Sequence, residues 1–502
     1  MTDRSTDLDD ARAAGPADAP GDADRAARDS RVIWLLLAAA FVVILNETIM
    51  GVAIPHLTTD LGITVQAAQW LTTAFMLTMA VVIPITGFLL QRFHTRPVFI
   101  AAMSLFSTGT LIAALAPGYE VLLGARVVQA TGTAIMMPLL MTTLMTLVAP
   151  RDRGRIMGRV STVISVAPAI GPTISGLILN YLSWRWMFWI VLPIAVTMLL
   201  IGIRRVENVT EPRVVPIDVF SVVLSAFGFG GIVFGLSQIG GAAESGGEAG
   251  GNAVAMWISL AIGAIGLAAF ITRQLLLQRR DRALLDLRTF RSRNFSISIG
   301  LMAIMMLALF GTIILLPIYM QNVIGLDALQ AGLLLLPGGL VMGLAAPTVG
   351  RLYDRFGPSV LLVPGSVVVS GVLWFLALFA TESTPAWVVL AAHVTLSLGL
   401  AFMFTPLFTA SLASVEPRLY SHGSAIVGTV QQVAGAAGTA LFVTVMAAQT
   451  AALSSPTVAD AAAAAGGVRA AFLVGAILSL LAIVGSALVR RPADSPAHVV
   501  GH

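Results

Sequence analysis

Runs of about 20 apolar residues recur along the chain from Val32 onward. Each is long enough to cross about 30 Å of hydrocarbon as a helix. The runs are continuous, which excludes the outer-membrane barrel, whose strands alternate apolar and polar residues. Spans are predicted near 32–54, 67–90, 98–117, 121–148, 157–181, 186–203, 218–239, 254–272, 295–319, 328–349, 359–380, 387–414, 422–448 and 469–489. The fold class is therefore all-α membrane protein with 14 transmembrane helices. Before the first run, residues 1–30 hold eight Asp against four Arg with Ala, Gly and Pro. This composition predicts a disordered tail over 1–31. No cleavable signal peptide is expected, because the first run is long enough to span and lacks an obvious cleavage site.

The polar positions between the runs test the count. With the tail placed in the cytoplasm, the inner loops hold Arg92 and Arg96; Arg151, Arg153, Arg155 and Arg159; and Arg204, Arg205 and Arg213. Seven more arginines lie between 273 and 293, followed by Arg351, Arg355 and Arg418. The inner loops thus total 19 arginines, against Arg185 and Arg469 outside. Acids without bases mark the outer loops 240–253 (Glu244, Glu248) and 381–386 (Glu382). This positive-inside asymmetry would collapse if one span were miscounted, since every later loop would change sides. Both termini are expected in the cytoplasm.

Composition narrows the class further. Of 502 residues, 57% are hydrophobic and 11% charged, where a soluble protein has about 25% charged residues. A mean hydropathy of +0.91 excludes a soluble enzyme carrying one membrane anchor. The absence of cysteine removes disulfides, thiolate metal sites and cysteine nucleophiles. All 29 basic side chains are Arg. In a soluble protein a pI near 10.1 would suggest nucleic-acid binding, but here the arginines follow the loops. No nucleic-acid partner is expected.

An internal repeat sets the organisation. Gly87-Phe-Leu-Leu-Gln-Arg-Phe-His closes the second span, and Gly350-Arg-Leu-Tyr-Asp-Arg-Phe-Gly closes the tenth. The chain reads as a tail (1–31), a six-helix half (32–203), a two-helix insert (204–272), a linker (273–294), a second six-helix half (295–489) and a tail (490–502). Two like-oriented halves around a midplane cavity suit a secondary transporter. The linker is Arg-rich with Leu275, Leu276, Leu284, Leu285, Leu287 and Phe290, which predicts an amphipathic segment on the inner leaflet.

Several motifs carry a resemblance over nearly the whole chain. The loop from Gly87 to Arg96 is similar to G-x-L-a-D-r-x-G-r-k, and 350–357 is its second copy. Leu122 to Gln129, containing Arg126, resembles R-x-x-Q-G, with Ala130 at the last Gly. Gly171-Pro172-Thr-Ile-Ser-Gly176 resembles G-P-x-x-G-G, and Trp184 to Phe188 resembles W-R-W-x-F, with Val191 at a usual Asn. The chain thereby resembles the major facilitator superfamily. Within it, the likeness is to the fourteen-span drug:proton antiporters, and most to lincomycin-resistance-type multidrug exporters.

Three departures matter. The first loop copy has Gln91 for the acid and His94 for the second Gly. A charge-mediated latch is therefore expected at Asp354 and Arg355 of the second copy, with Gly87, Arg92, Arg96 and Gly350 completing the gating loops. The first span reads Leu45-Asn46-Glu47-Thr48 where the family has L-D-x-T. Its acid is displaced by one residue, a rotation of roughly 100°. Span thirteen offers Gln431 and Gln432 where some members carry an acid.

Glu47 is the sharpest candidate for chemistry. It lies well inside span one, where a charge costs about 3 kcal/mol even on lenient scales. Such a group suits taking up and releasing a proton; the alternative is a solvated or paired structural Glu. Arg126 is the natural counter-charge, unless it snorkels to the outer interface. Gln129 lies one turn on, on the same face, and Asn46 and Thr48 are supporting polar groups. Gly171 and Pro172, with Pro168 and Gly176, imply a bendable, closely packed helix. The resemblance has that helix pack against span ten and seal the inward side.

His393 is read as a packed, hydrogen-bonded histidine more readily than as a proton relay. Met136, Met137, Met305, Phe310, Phe404, Gln431 and Gln432 are candidates for an adaptable cavity wall. No H-E-x-x-H, phosphate-binding Gly-Lys loop or metal cluster is present in the sequence, so no enzyme activity, cofactor or metal is expected. Ser175-Gly176 with His393 does not fit an intramembrane protease, because Ser175 belongs to the Gly-Pro motif.

The reading is proton-coupled efflux of amphipathic drugs or related small molecules across the bacterial cytoplasmic membrane. Its partners would be the small molecule, protons and the bilayer, with the protein acting as a monomer. A narrow-substrate exporter of a metabolite, lipid or self-made antibiotic is the alternative. A non-transporting scaffold or sensor is the remote one.

Overall fold

The computed structural model describes residues 20–209, 212, 218–244, 249–454 and 460–491. Arg213, Glu248, residues 1–19 of the expected N-terminal tail and 492–502 of the C-terminal tail lie outside the described residues. Fourteen long helices are described, and no strand is found among the described residues. They are α1 (Pro20–Leu61), α2 (Val65–Arg92), α3 (Thr95–Ala114), α4 (Tyr119–Leu147), α5 (Arg153–Tyr181), α6 (Arg185–Arg205) and α7 (Val219–Glu244). The chain continues through α8 (Ala249–Leu277), α9 (Arg293–Ile318), α10 (Ala328–Phe356), α11 (Ser359–Phe379), α12 (Ala386–Ala413), α13 (Tyr420–Leu453) and α14 (Asp460–Ser486). Each contains a window long and apolar enough to cross a membrane.

The breaks between helices have local causes. Thr64 accepts the Ala67 N–H at the start of α2, and Ser292 accepts the Phe295 N–H at the start of α9. Asp327 and Gln330 form a reciprocal capping box on α10, which satisfies donors that a helix start leaves open. Gly357 then ends α10 with φ of 82°, a conformation that favours glycine.

Two expectations are corrected. Helix α1 begins at Pro20, so residues 20–31, expected in the tail, are helical. Pro at a first helical position and the alanines that follow favour this start. The linker does not lie as an amphipathic segment on the leaflet. Helix α8 runs on to Leu277, and two short 3-10 turns, Gln278–Arg280 and Leu287–Arg291, lead into α9. The Gln274 side chain explains the fold-back: its Oε1 accepts the N–H groups of Leu284 at 2.8 Å and Leu285 at 3.3 Å. Those two leucines are then buried in the protein instead of lying on a leaflet.

Helices α1–α6 contact one another, as do α9–α14. The two groups meet along two seams. Helices α5 and α10 make the most extensive contact in the protein, and α2 meets α13 on the other side. Helix α7 packs on both α2 and α13, with the Trp70 and Phe234 rings 5.4 Å apart. Helix α8 is held to α7 by near backbone contact, where a Cβ on Gly231 would lie 2.8 Å from Gly263. At the loop end Arg273 donates to Asp218 at 2.7 and 2.8 Å. The central pair thus sits over one seam and leaves the α5–α10 seam uncovered.

Candidate functional site

Helix α1 places Asn46, Glu47 and Thr48 on consecutive positions, so they point about 100° apart. Asn46 is fully buried with neither side-chain atom hydrogen-bonded. Glu47 is half-buried. Thr48 donates to the Leu45 carbonyl at 2.9 Å and lies against Gly171 of α5.

Opposite Glu47, α4 presents Arg126, which is 0% exposed. Its Nη1 donates to Gln129 Oε1 at 2.7 Å, and Gln129 Nε2 donates to Thr110 of α3 at 2.8 Å. The guanidinium lies 4.0 Å from the Phe75 ring centroid of α2. Nη2 has no hydrogen-bond partner. Arg126 therefore does not snorkel. Glu47 and Arg126 attract one another electrostatically, yet among the described residues the guanidinium bonds Gln129 and the Leu71 carbonyl and not Glu47. A guanidinium is a permanent cation, so the arrangement sets a fixed positive charge beside a carboxyl that it does not neutralise by contact. Sequence reasoning found Glu47, Arg126 and Gln129 but missed Thr110 and Phe75. No motif marks them, and only the packing of α3 and α2 on α4 brings them in.

The Gly-Pro motif is divided between neighbours. Gly171 allows the approach of Thr48, and Ser175 donates to the Ile49 carbonyl at 2.8 Å. This part of the motif faces α1, while α5 as a whole packs against α10, as expected. Pro168 is half-buried, Gly176 faces open space, and the Pro172 side chain lies outside the described residues. The contact with α10 runs from Ala169, against Gly339, down α5. Added Cβ atoms on Gly154 and Gly158 would collide with the Gly350 and Ala346 carbonyls, and Thr162 donates to the Gly343 carbonyl at 2.8 Å.

At the arginine-rich end, Asp354 of α10 accepts the backbone N–H groups of Gly154 at 2.8 Å and Arg155 at 2.7 Å. A carboxylate at a helix N-terminus is favoured by the unpaired N–H groups there. Arg355 does not join this latch. It is exposed and lies 5.0 Å from its neighbour's ring at Phe356. Arg96 donates to the Ile203 carbonyl at the end of α6 at 2.5 Å, and Arg92 is half-buried. Gly87 admits His422 of α13 beside α2, while Gln91 donates to the Arg418 carbonyl at 3.1 Å. Further bonds between the two groups of helices join Thr142 to Ser424 at 2.8 Å, Arg153 to Tyr420 at 3.2 Å and Thr405 to Ser161 at 2.9 Å. Together these hold the bundle shut from its middle to its arginine-rich end.

The cavity-wall candidates separate. Met136, Met305 and Phe404 are buried core residues, with Phe404 stacked on Phe408 at 6.0 Å. They lie inside the packed bundle and do not line an open wall. Met137, Phe310, Gln431 and Gln432 keep partial exposure. Gln432 points to Met79 of α2 at 3.5 Å, and Phe310 packs over Gly435. His393 bonds the Leu335 carbonyl through Nε2 at 3.1 Å and fills the space over Gly338. Among the described residues no group of three or more His, Asp or Glu could hold a metal ion.

A family model described as the Major Facilitator Superfamily matches residues 36–439. The chain is 39% identical over 466 residues to the lincomycin resistance protein LmrB of Listeria monocytogenes, covering 92% of this chain and 96% of that protein. It is 28% identical over 438 residues to the multidrug resistance protein B homolog of Mycobacterium tuberculosis (strain ATCC 25618 / H37Rv), covering 85% and 79%. Among solved structures, the proton:xylose symporter XylE superposes with a TM-score of 0.61 at 13% identity, covering 92% of this chain and 95% of that one.

Proposed function

The chain belongs to the major facilitator superfamily, and we propose that it works there as a proton-coupled exporter of amphipathic small molecules. It is a multi-pass membrane transporter and not an enzyme. The reading rests on one observation. A half-buried carboxyl, Glu47, faces a fully buried guanidinium, Arg126, that attracts it without pairing with it.

In this reading the arginine-rich end is cytoplasmic, and the halves 32–203 and 295–489 rock about the seams. The conformation described is closed to the cytoplasm. A proton entering from outside neutralises Glu47 and weakens its attraction to Arg126. The substrate leaves, the Asp354 latch opens, and Glu47 gives its proton to the cytoplasm as Arg126 regains its partner. Each charge moved inward gains about 2.3 kcal/mol per 100 mV of membrane potential, so one proton per cycle sustains a useful gradient. The partly exposed Met137, Phe310, Gln431 and Gln432 offer apolar and uncharged polar contacts to the substrate. The protein acts as a monomer. The names of its relatives, lincomycin resistance and multidrug resistance proteins, favour drugs as substrates over a single metabolite.

Efflux of ethidium and of a lincosamide from pump-deficient bacteria tests the reading, with wild type and Glu47→Gln compared with and without protonophore. Both the substitution and the protonophore should abolish efflux. Efflux that survives Glu47→Gln removes the carboxyl from the mechanism, and efflux that survives protonophore removes the proton.

A further inference from the structure

Between the last turn of α8 and the 3-10 turn Leu287–Arg291 lies a cavity of about 370 Å³, lined by Leu275, Gln278, Arg279, Arg288 and Arg291. Its charge is not balanced. Arg288 is engaged by Asp281 and Asp286, each at 2.5 Å. Arg279 and Arg291 are exposed, and neither makes an ion pair or hydrogen bond among the described residues. Gln278, which also lines the cavity, has a buried Oε1 without a partner. Two free guanidinium groups thus border one space large enough for a polar headgroup.

The surroundings say which kind of anion fits. The cavity lies where the apolar surface of α8 ends. Leu275 and Leu276 on that last turn are 46% and 59% exposed, and Phe290 beside it is 40% exposed. Ile258, Ile262 and Ile265 form an exposed apolar ridge on the same helix, at spacings of four and three residues. Among the described helices α8 packs mainly on α7, and this exposed ridge faces the bilayer. A soluble anion would use the arginines and leave the ridge idle.

We propose that this cavity binds the phosphate headgroup of an anionic lipid, held by Arg279 and Arg291, with an acyl chain along the α8 ridge. Guanidinium groups present paired donors that match phosphate oxygens, and basic pockets at the ends of membrane helices suit such headgroups. The site joins the central helix pair to the linker: Gln274 of α8 holds the linker at Leu284, and Asp286 holds Arg288 within it. It requires membrane embedding and nothing of the transport mechanism.

The test is native mass spectrometry of the detergent-purified full chain with equimolar phosphatidylglycerol and phosphatidylcholine of the same acyl chains. Wild type should retain one phosphatidylglycerol with about tenfold preference. The double variant R279Q/R291Q should fall to twofold or less, R279K/R291K should keep most of the preference, and R204Q/R205Q, at the same end of the protein, should match wild type. R279Q/R291Q with the wild-type preference overturns the proposal. So does an equal loss in R204Q/R205Q, which would reflect diffuse charge. Displacement of the lipid by millimolar inorganic phosphate also overturns it, by making the occupant a soluble phosphate.

Discussion

The carboxylate of Asp354 on α10 receives the backbone N–H of Gly154 at 2.8 Å, so the proposed latch is an acid on a helix N-terminus and not a pair of opposite side chains. Such a contact contributes on the order of 1 kcal/mol, about a fivefold change in a two-state population.

Asp354→Asn should therefore shift the protein several-fold towards a form opened at the arginine-rich end. Gly154→Ala should shift it further, because the added Cβ meets both Asp354 and the Gly350 carbonyl. The chain has no native cysteine, so spin labels at Arg151→Cys and Arg351→Cys report the distance alone. Unchanged distance distributions in both variants would remove the latch.

Gln129 bonds both Arg126 and Thr110. The bond to Thr110 joins two membrane helices and contributes roughly 0.6 to 1.7 kcal/mol, and the bond to Arg126, within α4, adds about 1 kcal/mol. Gln129→Leu should then lower stability by about 1–3 kcal/mol in a detergent melt, and more than Thr110→Val, which leaves the Arg126 bond in place. Equal melts for the two variants would mean that the bond to Arg126 contributes nothing.

Asp218 clamps α7 to α8 through Arg273, whose hydrogen bonds hold the carboxyl below the usual carboxylate range. A carboxyl depressed in the folded state adds stability above its unfolded value of about 3.9. That stability is lost as pH falls through the folded value. Wild type should melt higher than Asp218→Asn at pH 7, by about 1 kcal/mol for a part-buried pair. The gap should close below about pH 4. A gap that is constant from pH 3 to 7 would contradict this.

His393 packs over Gly338 with Nε2 on the Leu335 carbonyl. His393→Gln keeps a donor there, so efflux should stay within about twofold of wild type across pH 6 to 8, while Glu47→Gln loses it. A pH profile that flattens in His393→Gln would give this side chain a part in proton transfer.

The spans were legible in the sequence because each apolar run answers to the bilayer alone. A stretch such as Ser359–Phe379 must be helical across hydrocarbon whatever its neighbours are, since its backbone groups have no other partners there. Glu47 and Arg126 were legible for the same reason, as costly charges in an apolar run. The partners of those charges were not. Thr110 reaches Gln129, Phe75 covers Arg126, and Asp354 meets a backbone N–H of α5 that carries no side-chain signal at all. Met136, Met305 and Phe404 read as cavity wall and are core, because apolar composition is the same on both kinds of surface. The linker read as an amphipathic segment on the leaflet, and Gln274 of α8 folds it back so that Leu284 and Leu285 are buried. Hydropathy is local and settles which residues lie in the membrane. Which side chains meet depends on how helices far apart in the chain turn their faces to one another, and only the tertiary structure decides that.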